Sequence, residues 1–263
     1  MYNFEYQKPG ALADAVKALG ADDAKALAGG MTLIPVLKQR LNQPSVVVDL
    51  AKLGLSGITV TGDSVTIGAM TTHATVAASA DIKRAIPALA ALAGGIGDIQ
   101  VRARGTIGGS LANNDPAACY PAAALALGAT ITTNKRAIKA DVYFTGMFTT
   151  ALAADEVITS VSFPIPAKAA YVKFKQPASR YAMVGVFAAK GPAGVRVAVT
   201  GSGQGGVFRF TAAEAALASN WSAAALNGIS VSADNMMSDI HGSAVYRAHL
   251  VGVIAKRAVT AAG

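Results

Sequence analysis

The hydrophobic pattern of this 263-residue chain alternates in some stretches and recurs at helical spacing in others. Residues 3–6 alternate like a short strand. Leu12, Ala15, Val16 and Leu19 then share one face of a helix expected over 11–19, opened by Pro9 and stopped by Gly20. Residues 25–28 read as a short buried strand that runs into Gly29-Gly30-Met31-Thr32. Leu33, Val36, Leu37 and Leu41 then mark a helix over 33–41. Residues 45–49 are a buried strand, and 58–61 with 64–67 form a hairpin about Gly62-Asp63. Helices follow over 74–80, capped by Thr71 or Thr72, and over 81–93, with Pro87 near its start. Asp115-Pro116 opens an apolar helix over 118–127 that Gly128 ends. A second hairpin, 129–133 with 136–140, turns about Asn134-Lys135, and 142–149 reads as a short helix. The strand over 156–163 alternates clearly. Pro164 and Pro166 after it mark the domain boundary. Beyond it, 170–176, 182–190 and 195–200 read as a three-strand meander, and 211–256 as helices with a polar break over 227–239.

Composition narrows what such a chain can be. Hydrophobic residues make up 52% and charged residues 14%, but no run reaches the roughly 18 apolar residues of a membrane span. The burial this implies is thorough and extends to partner chains. The formal net charge is +8, with the basic residues scattered singly or in pairs. Without a basic tail or an aromatic-plus-basic platform, nucleic acid is not the expected partner. A positive surface suits an anionic cofactor or an acidic partner subunit. The first six residues carry no basic segment followed by an apolar one, so a cytoplasmic chain without a secretory signal is expected. Cys119 is the single cysteine. One thiol builds neither an iron–sulfur site nor a structural zinc, so any metal chemistry is expected on another chain.

Two glycine loops carry the candidate chemistry. Gly105-Thr106-Ile107-Gly108-Gly109-Ser110-Leu111-Ala112-Asn113-Asn114-Asp115-Pro116 sets a glycine pair among hydroxyl, amide and carboxylate side chains. Free backbone N–H groups in such a turn make an anion-binding concavity, and the loop holds no lysine. That favours a bound pyrophosphate over a phosphoryl group in transfer. Ala28-Gly29-Gly30-Met31-Thr32 is the second loop, joining a strand to a helix N-terminus. A third glycine run, Gly201-Ser202-Gly203-Gln204-Gly205-Gly206, matches G-x-G-x-x-G but lacks its context. Residues 207–210 continue as a strand, the helix opens only at Thr211 in a capping box with Glu214, and the expected acid is missing. His73, His241 and His249 have no ligand spacing and read as structural or surface residues. Few acids or bases suit proton work, so the chain is expected to hold a cofactor that does the chemistry.

Ala28-Gly29-Gly30-Met31-Thr32-Leu33-Ile34-Pro35 and the 105–116 stretch resemble the two FAD-binding loops of the medium, flavoprotein subunit of the molybdenum hydroxylases, the family of aerobic carbon monoxide dehydrogenase and xanthine dehydrogenase. The likeness runs over essentially the whole chain. It includes Gly68-Ala69-Met70-Thr71-Thr72-His73, Gln100-Val101-Arg102 and the strand before Pro164. The resemblance implies an α+β fold of the vanillyl-alcohol oxidase and p-cresol methylhydroxylase type. An FAD-binding domain over 1–167, in subdomains of about 1–54 and 55–167, is followed by a C-terminal domain over 168–263, a three-stranded antiparallel sheet with helices. It also implies a heterotrimer or its dimer. A large subunit would carry the molybdenum cofactor and the substrate, a small subunit two 2Fe–2S clusters, and this chain FAD. Electrons would pass from a cluster to this chain's FAD and on to an external acceptor.

Residue by residue, the resemblance implies that Ala28, Gly29, Gly30, Met31, Thr32 and Leu33 contact the pyrophosphate and flavin through their backbone. Thr106, Ile107, Gly108, Gly109, Ser110 and Asn113 would line the phosphates and ribityl chain. Ile96 and Gly97 would pack near the isoalloxazine ring, Ile158 against adenine, Lys175 at the FAD edge and Tyr181 near the ring. Many relatives have an aspartate in the place of Cys119, which would bond the flavin's sugar chain. Here Asp115 or a water would serve instead, or FAD would be held less tightly. Two other readings stay open: a flavin-free assembly subunit of the same complex, and a stand-alone flavin reductase of the same fold.

Overall fold

A computed structural model describes residues 1–263. The first layer is a three-stranded parallel sheet in the order β1-β3-β2, with β1 Glu5–Gln7, α1 Leu12–Leu19, β2 Lys25–Leu27, α2 Leu33–Lys38 and β3 Val46–Asp49. The valines of β3 are buried on both faces, as a central parallel strand requires. Ala15 and Leu19 of α1 pack on Val46 and Val48, closing a small core with Leu50 and Val157. Helix α2 stops at Lys38, short of the expected Leu41, because Arg40 takes a left-handed φ of 58°.

The second unit is built on a five-stranded antiparallel sheet, β4-β5-β10-β6-β7. In chain order it comprises β4 Ile58–Thr61, β5 Ser64–Gly68, α3 His73–Ala78, α4 Ala80–Ala85, α5 Pro87–Gly94, α6 Ile99–Arg104, α7 Ile107–Asn113, α8 Tyr120–Leu127, β6 Thr130–Thr133, β7 Ala137–Lys139, α9 Ala140–Tyr143, β8 Phe144–Gly146, β9 Thr149–Thr150 and β10 Ile158–Pro164. The single helix expected over 81–93 is two helices. Pro87 bars its neighbour Ile86 from helical backbone and starts α5 as its first residue. Residues 142–149 are not a helix. α9 ends at Tyr143 and the chain turns back as the β8–β9 hairpin, held by Asn114, whose Nδ2 donates to the Gly146 and Thr149 carbonyls at 2.8 and 2.9 Å. Every residue of α8 is buried.

The C-terminal unit carries four strands where three were expected: β11 Lys168–Lys175, β12 Ala182–Gly191, β13 Gly194–Thr200 and β14 Phe208–Arg209. The glycine run 201–206 returns the chain so that Phe208 pairs with Val199 and Arg209 with Ala198. Helices α10 Thr211–Ser219 and α11 Ala244–Ala262 complete it. No capping box forms at Thr211. Glu214 instead accepts from the Val197 N–H and from Arg209, both at 2.9 Å. Strand β12 is buried on both faces. Phe187 and Ala189 join the core around α8, while Val184, Val186 and Ala188 join the core under α11. No helix is long and apolar enough to cross a membrane.

Candidate functional site

A cleft of about 730 Å³ runs where the three units meet. That is within the usual range for small-molecule and cofactor sites, roughly 300–1,000 Å³. Its walls come from the 25–42 segment, from α7 and the loops around it, from 148–158, and from β11 with the loop after it. Of the residues named from the sequence, all but Ile107 and Lys175 stand in these walls: Ala28 through Leu33, Ile96, Gly97, Thr106, Gly108, Gly109, Ser110, Asn113, Asp115, Ile158 and Tyr181. Ile107, the first residue of α7, is fully buried. Lys175 is exposed at the end of β11, past a bulge in its pairing with β12. The 201–206 run lies outside the cleft, tied back by the Gly201 N–H to the Pro116 carbonyl at 2.7 Å.

The two glycine loops pack against each other. A Cβ on Gly29 would fall inside the Arg104 carbonyl oxygen, so this approach admits only glycine. Gly30 adopts φ +76°, turning the chain into α2. The backbone N–H groups of Gly29, Gly30, Met31, Thr32 and Leu33 donate to no acceptor within the chain, while the Gly30 and Thr32 carbonyls start α2 by accepting from Ile34 and Val36. Five successive free donors at the edge of a cleft form a concavity for an anion.

The second loop is built the other way. The Thr106 Oγ1 accepts from the Gly109 N–H at 3.1 Å as the N-cap of α7. The Ile107 and Gly108 N–H groups donate to the Thr71 and Ala69 carbonyls at 3.1 and 2.8 Å, and Ser110 N–H to the Thr106 carbonyl. The run of free donors expected at Gly105–Gly109 is therefore absent there: the Gly105 N–H goes to the Val101 carbonyl, those of Ile107 to Gly109 to the 69–71 segment and the cap, and the Thr106 N–H alone has no acceptor within the chain. What this loop offers the cleft is the face of α7 carrying Thr106, Ser110 and Asn113.

His73 lines the cleft from behind this loop, its N–H donating to the Gly105 carbonyl at 2.9 Å. Burial, with the Arg102 charge adding to it, lowers its pKa to about 4, so the imidazole is neutral. Glu156 also stands in the wall. Its carboxylate takes the Arg136 guanidinium in two 3.0 Å bonds, the Thr133 hydroxyl at 2.7 Å and the Ala153 N–H at 3.0 Å. Arg136 foremost brings its pKa down to about 2. Asp115 accepts from the Ala117 N–H at 2.8 Å. Sequence reasoning missed Lys173, whose Nζ reaches the Gly95 carbonyl at 2.8 Å and the Cys119 sulfur at 3.4 Å. A lone lysine inside the apolar run Tyr171-Val172-Lys173-Phe174 was the available signal. Met70, Phe148 and Glu156 were missed as well.

The cleft fits a dinucleotide with a central pyrophosphate. It is mostly apolar at its walls and carries an uncapped N–H nest together with a helix face of neutral hydrogen-bonding side chains. No group of three or more histidine, cysteine or acidic side chains is placed to hold a metal.

Residues 2–166 match the family described as the FAD binding domain in molybdopterin dehydrogenase. Across 98% of its length the chain is 38% identical to the nicotine 6-hydroxylase medium subunit of Paenarthrobacter nicotinovorans, covering 96% of that protein. It is 32% identical to the carbon monoxide dehydrogenase medium chain of Hydrogenophaga pseudoflava, over 98% of this chain and 96% of that one. The fold matches a solved structure of reconstituted CO dehydrogenase from Oligotropha carboxidovorans with a TM-score of 0.90 and 32% identity, over 99% of this chain and 98% of the other. The chain therefore belongs to the FAD-binding medium subunits of the molybdenum hydroxylases, the family of carbon monoxide and xanthine dehydrogenases, and is an oxidoreductase component.

Proposed function

We propose that this chain holds one FAD in the cleft, takes electrons from a 2Fe–2S cluster on a small partner subunit, and passes them to an external acceptor. A large partner subunit would hold the molybdenum cofactor and turn over the substrate, in a heterotrimer or its dimer. The observation that carries this reading is the row of free N–H groups from Gly29 to Leu33 at the edge of a cofactor-sized cleft.

FAD, when bound, supplies the reversible uptake of electrons; the chain supplies binding and orientation. The Gly29–Leu33 donors would hold the pyrophosphate, and Ser110 and Asn113 would take the polar chain between phosphate and ring. Ile96, Gly97 and Tyr181 would pack at the ring end, and Ile158 at the adenine. The histidine and the two carboxylates in the walls serve the fold. His73 is kept neutral by burial, Glu156 is locked to Arg136, and Asp115 closes its own turn. The absence of a close acid–base pair supports a role in electron transfer rather than in turnover on this chain. Relatives named as medium subunits of multi-subunit enzymes support the partner arrangement.

The test is the flavin content of the purified protein, measured by fluorescence after release. One FAD per chain is expected. A complex that purifies with its other cofactors in full but no flavin would overturn the reading in favour of an assembly subunit.

A further inference from the structure

We propose that Cys119 is a site of oxidation by hydrogen peroxide, its thiol becoming a sulfenic acid whose oxygen is held by the Lys173 ammonium and the Tyr171 hydroxyl. The proposal stands whichever ligand fills the cleft.

Three groups meet at the Cys119 sulfur. Cys119 directly precedes α8, is 5% exposed and lines the cleft, so a small neutral oxidant reaches it from there. Lys173 comes in from β11, half-buried. Its Nζ donates to the Gly95 carbonyl at 2.8 Å and to the Cys119 sulfur at 3.4 Å, which leaves one of its three N–H donors over. No carboxylate pairs with it in any ion pair of the chain. Tyr171, two residues earlier and so on the same face of β11, sets its hydroxyl beside Cys119. That hydroxyl is buried and has no partner. It is also confined: a Cβ on Gly185, which pairs with Lys173 across β12, would strike it. Burial foremost, with Cys119 adding to it, pushes the phenol well up, so it keeps its proton and remains a donor. Tyr120, the residue after Cys119 and itself wholly buried, holds a second unpartnered hydroxyl.

A buried hydroxyl without an acceptor is costly, and a thiol is only a weak acceptor. An oxygen on the sulfur would be a strong one, set between a hydroxyl and an ammonium that each have a donor to spare. Peroxide supplies it. The Cys119 sulfur attacks one peroxide oxygen, the S–O bond forms as the O–O bond breaks, and the departing hydroxide leaves as water with the thiol's proton. The sulfur gives up two electrons and the peroxide takes them, so thiol and peroxide become sulfenic acid and water. Negative charge that develops on the sulfur and on its new oxygen falls beside the ammonium, the setting in which cysteines react. Cys119 is the single cysteine of the chain, so no second thiol within it turns the sulfenic acid into a disulfide. The oxidised residue waits for a thiol from outside the chain, which makes the change reversible.

Dimedone captures sulfenic acids and leaves thiols and oxidised methionines alone. The purified protein is exposed to hydrogen peroxide for increasing times, then to dimedone, and the peptide carrying Cys119 is weighed by mass spectrometry. Wild type, Lys173→Met, Lys173→Arg and Tyr171→Phe are compared. One adduct at Cys119 is expected in the folded wild type, and none when dithiothreitol is added before dimedone. Lys173→Met should label about tenfold more slowly, and Lys173→Arg within about threefold of wild type. Tyr171→Phe should pass on to the sulfinic acid about threefold faster, having lost a donor to the first oxygen. Lys173→Gln, which keeps an N–H donor without the charge, replaces Lys173→Met if that variant does not fold. A wild type that labels only after denaturation has an inert buried thiol and overturns the proposal. Equal labelling of folded wild type and the uncharged variant overturns the part given to Lys173.

Discussion

The two glycine loops look alike in sequence and are opposite in construction. In the loop at Ala28–Leu33 the backbone donors from Gly29 to Leu33 have no acceptor in the chain, and no side chain caps α2. In the second loop the donors from Ile107 to Ser110 are already spent, on Thr106 and on the Ala69 and Thr71 carbonyls. One loop keeps its donors open, which the proposed function reads as a socket for an anion. The other is a structural joint that locks α7 to the five-stranded sheet and presents side chains. Helix N-termini leave donors unsatisfied until something takes them, so the same glycine signature serves either purpose depending on what the fold brings near it.

This contrast makes unequal demands on the residues involved. The largest effect is expected at the contact between the loops. Gly29→Ala drives a Cβ into the Arg104 carbonyl and should cost about 3 kcal/mol, lowering the melting temperature by roughly 10 °C, with loss of bound FAD. Calorimetry with flavin quantitation reads both.

Next comes the pH response of the joint. His73 is ordinarily near 6.5 when unfolded and about 4 when folded. The unfolded chain therefore binds the proton more readily between those values. The stabilisation is fully present above about pH 6.5 and is lost as pH falls toward 4, by at most about 3 kcal/mol. Urea unfolding at pH 7, 5.5 and 4.5 should show this slope, and His73→Gln should flatten it. Nothing in Gly29–Leu33 titrates, so the socket has no such response of its own.

A smaller effect is expected at the cap. Thr106→Ala should cost about 1 kcal/mol by freeing the Gly109 donor, while Thr106→Ser should restore most of it. The smallest is at Thr32, whose side chain caps nothing. Thr32→Ala should stay within about 0.5 kcal/mol of wild type and retain FAD, since the socket uses backbone. Chemical denaturation of the four proteins side by side measures the contrast.

The sequence showed both loops and the residues around them because glycine pairs, caps and buried strands are local signals. It could not show which donors are free. That depends on Ala69 and Thr71, more than thirty residues before the loop they saturate. The hairpin at 144–150 was misread for the same reason: Asn114, far upstream, clamps it. Residues 207–210 were legible as a strand, but their place as the fourth strand of the sheet depends on how the glycine run folds back. Lys175 was named on resemblance and Lys173 not at all, yet it is Lys173 that lines the cleft, its Nζ on the Gly95 carbonyl and the Cys119 sulfur, which only the position of β11 in the fold decides.

Hydrogen–deuterium exchange of the holoprotein, compared with the protein stripped of FAD, separates socket from joint most directly. The largest FAD-dependent protection is expected in the peptide covering Gly29 to Leu33, with little change over Ile107 to Ser110, whose amides are already bonded within the chain. Protection concentrated at 107–110, with 29–33 exchanging alike in both states, would contradict the assignment of the pyrophosphate to the first loop.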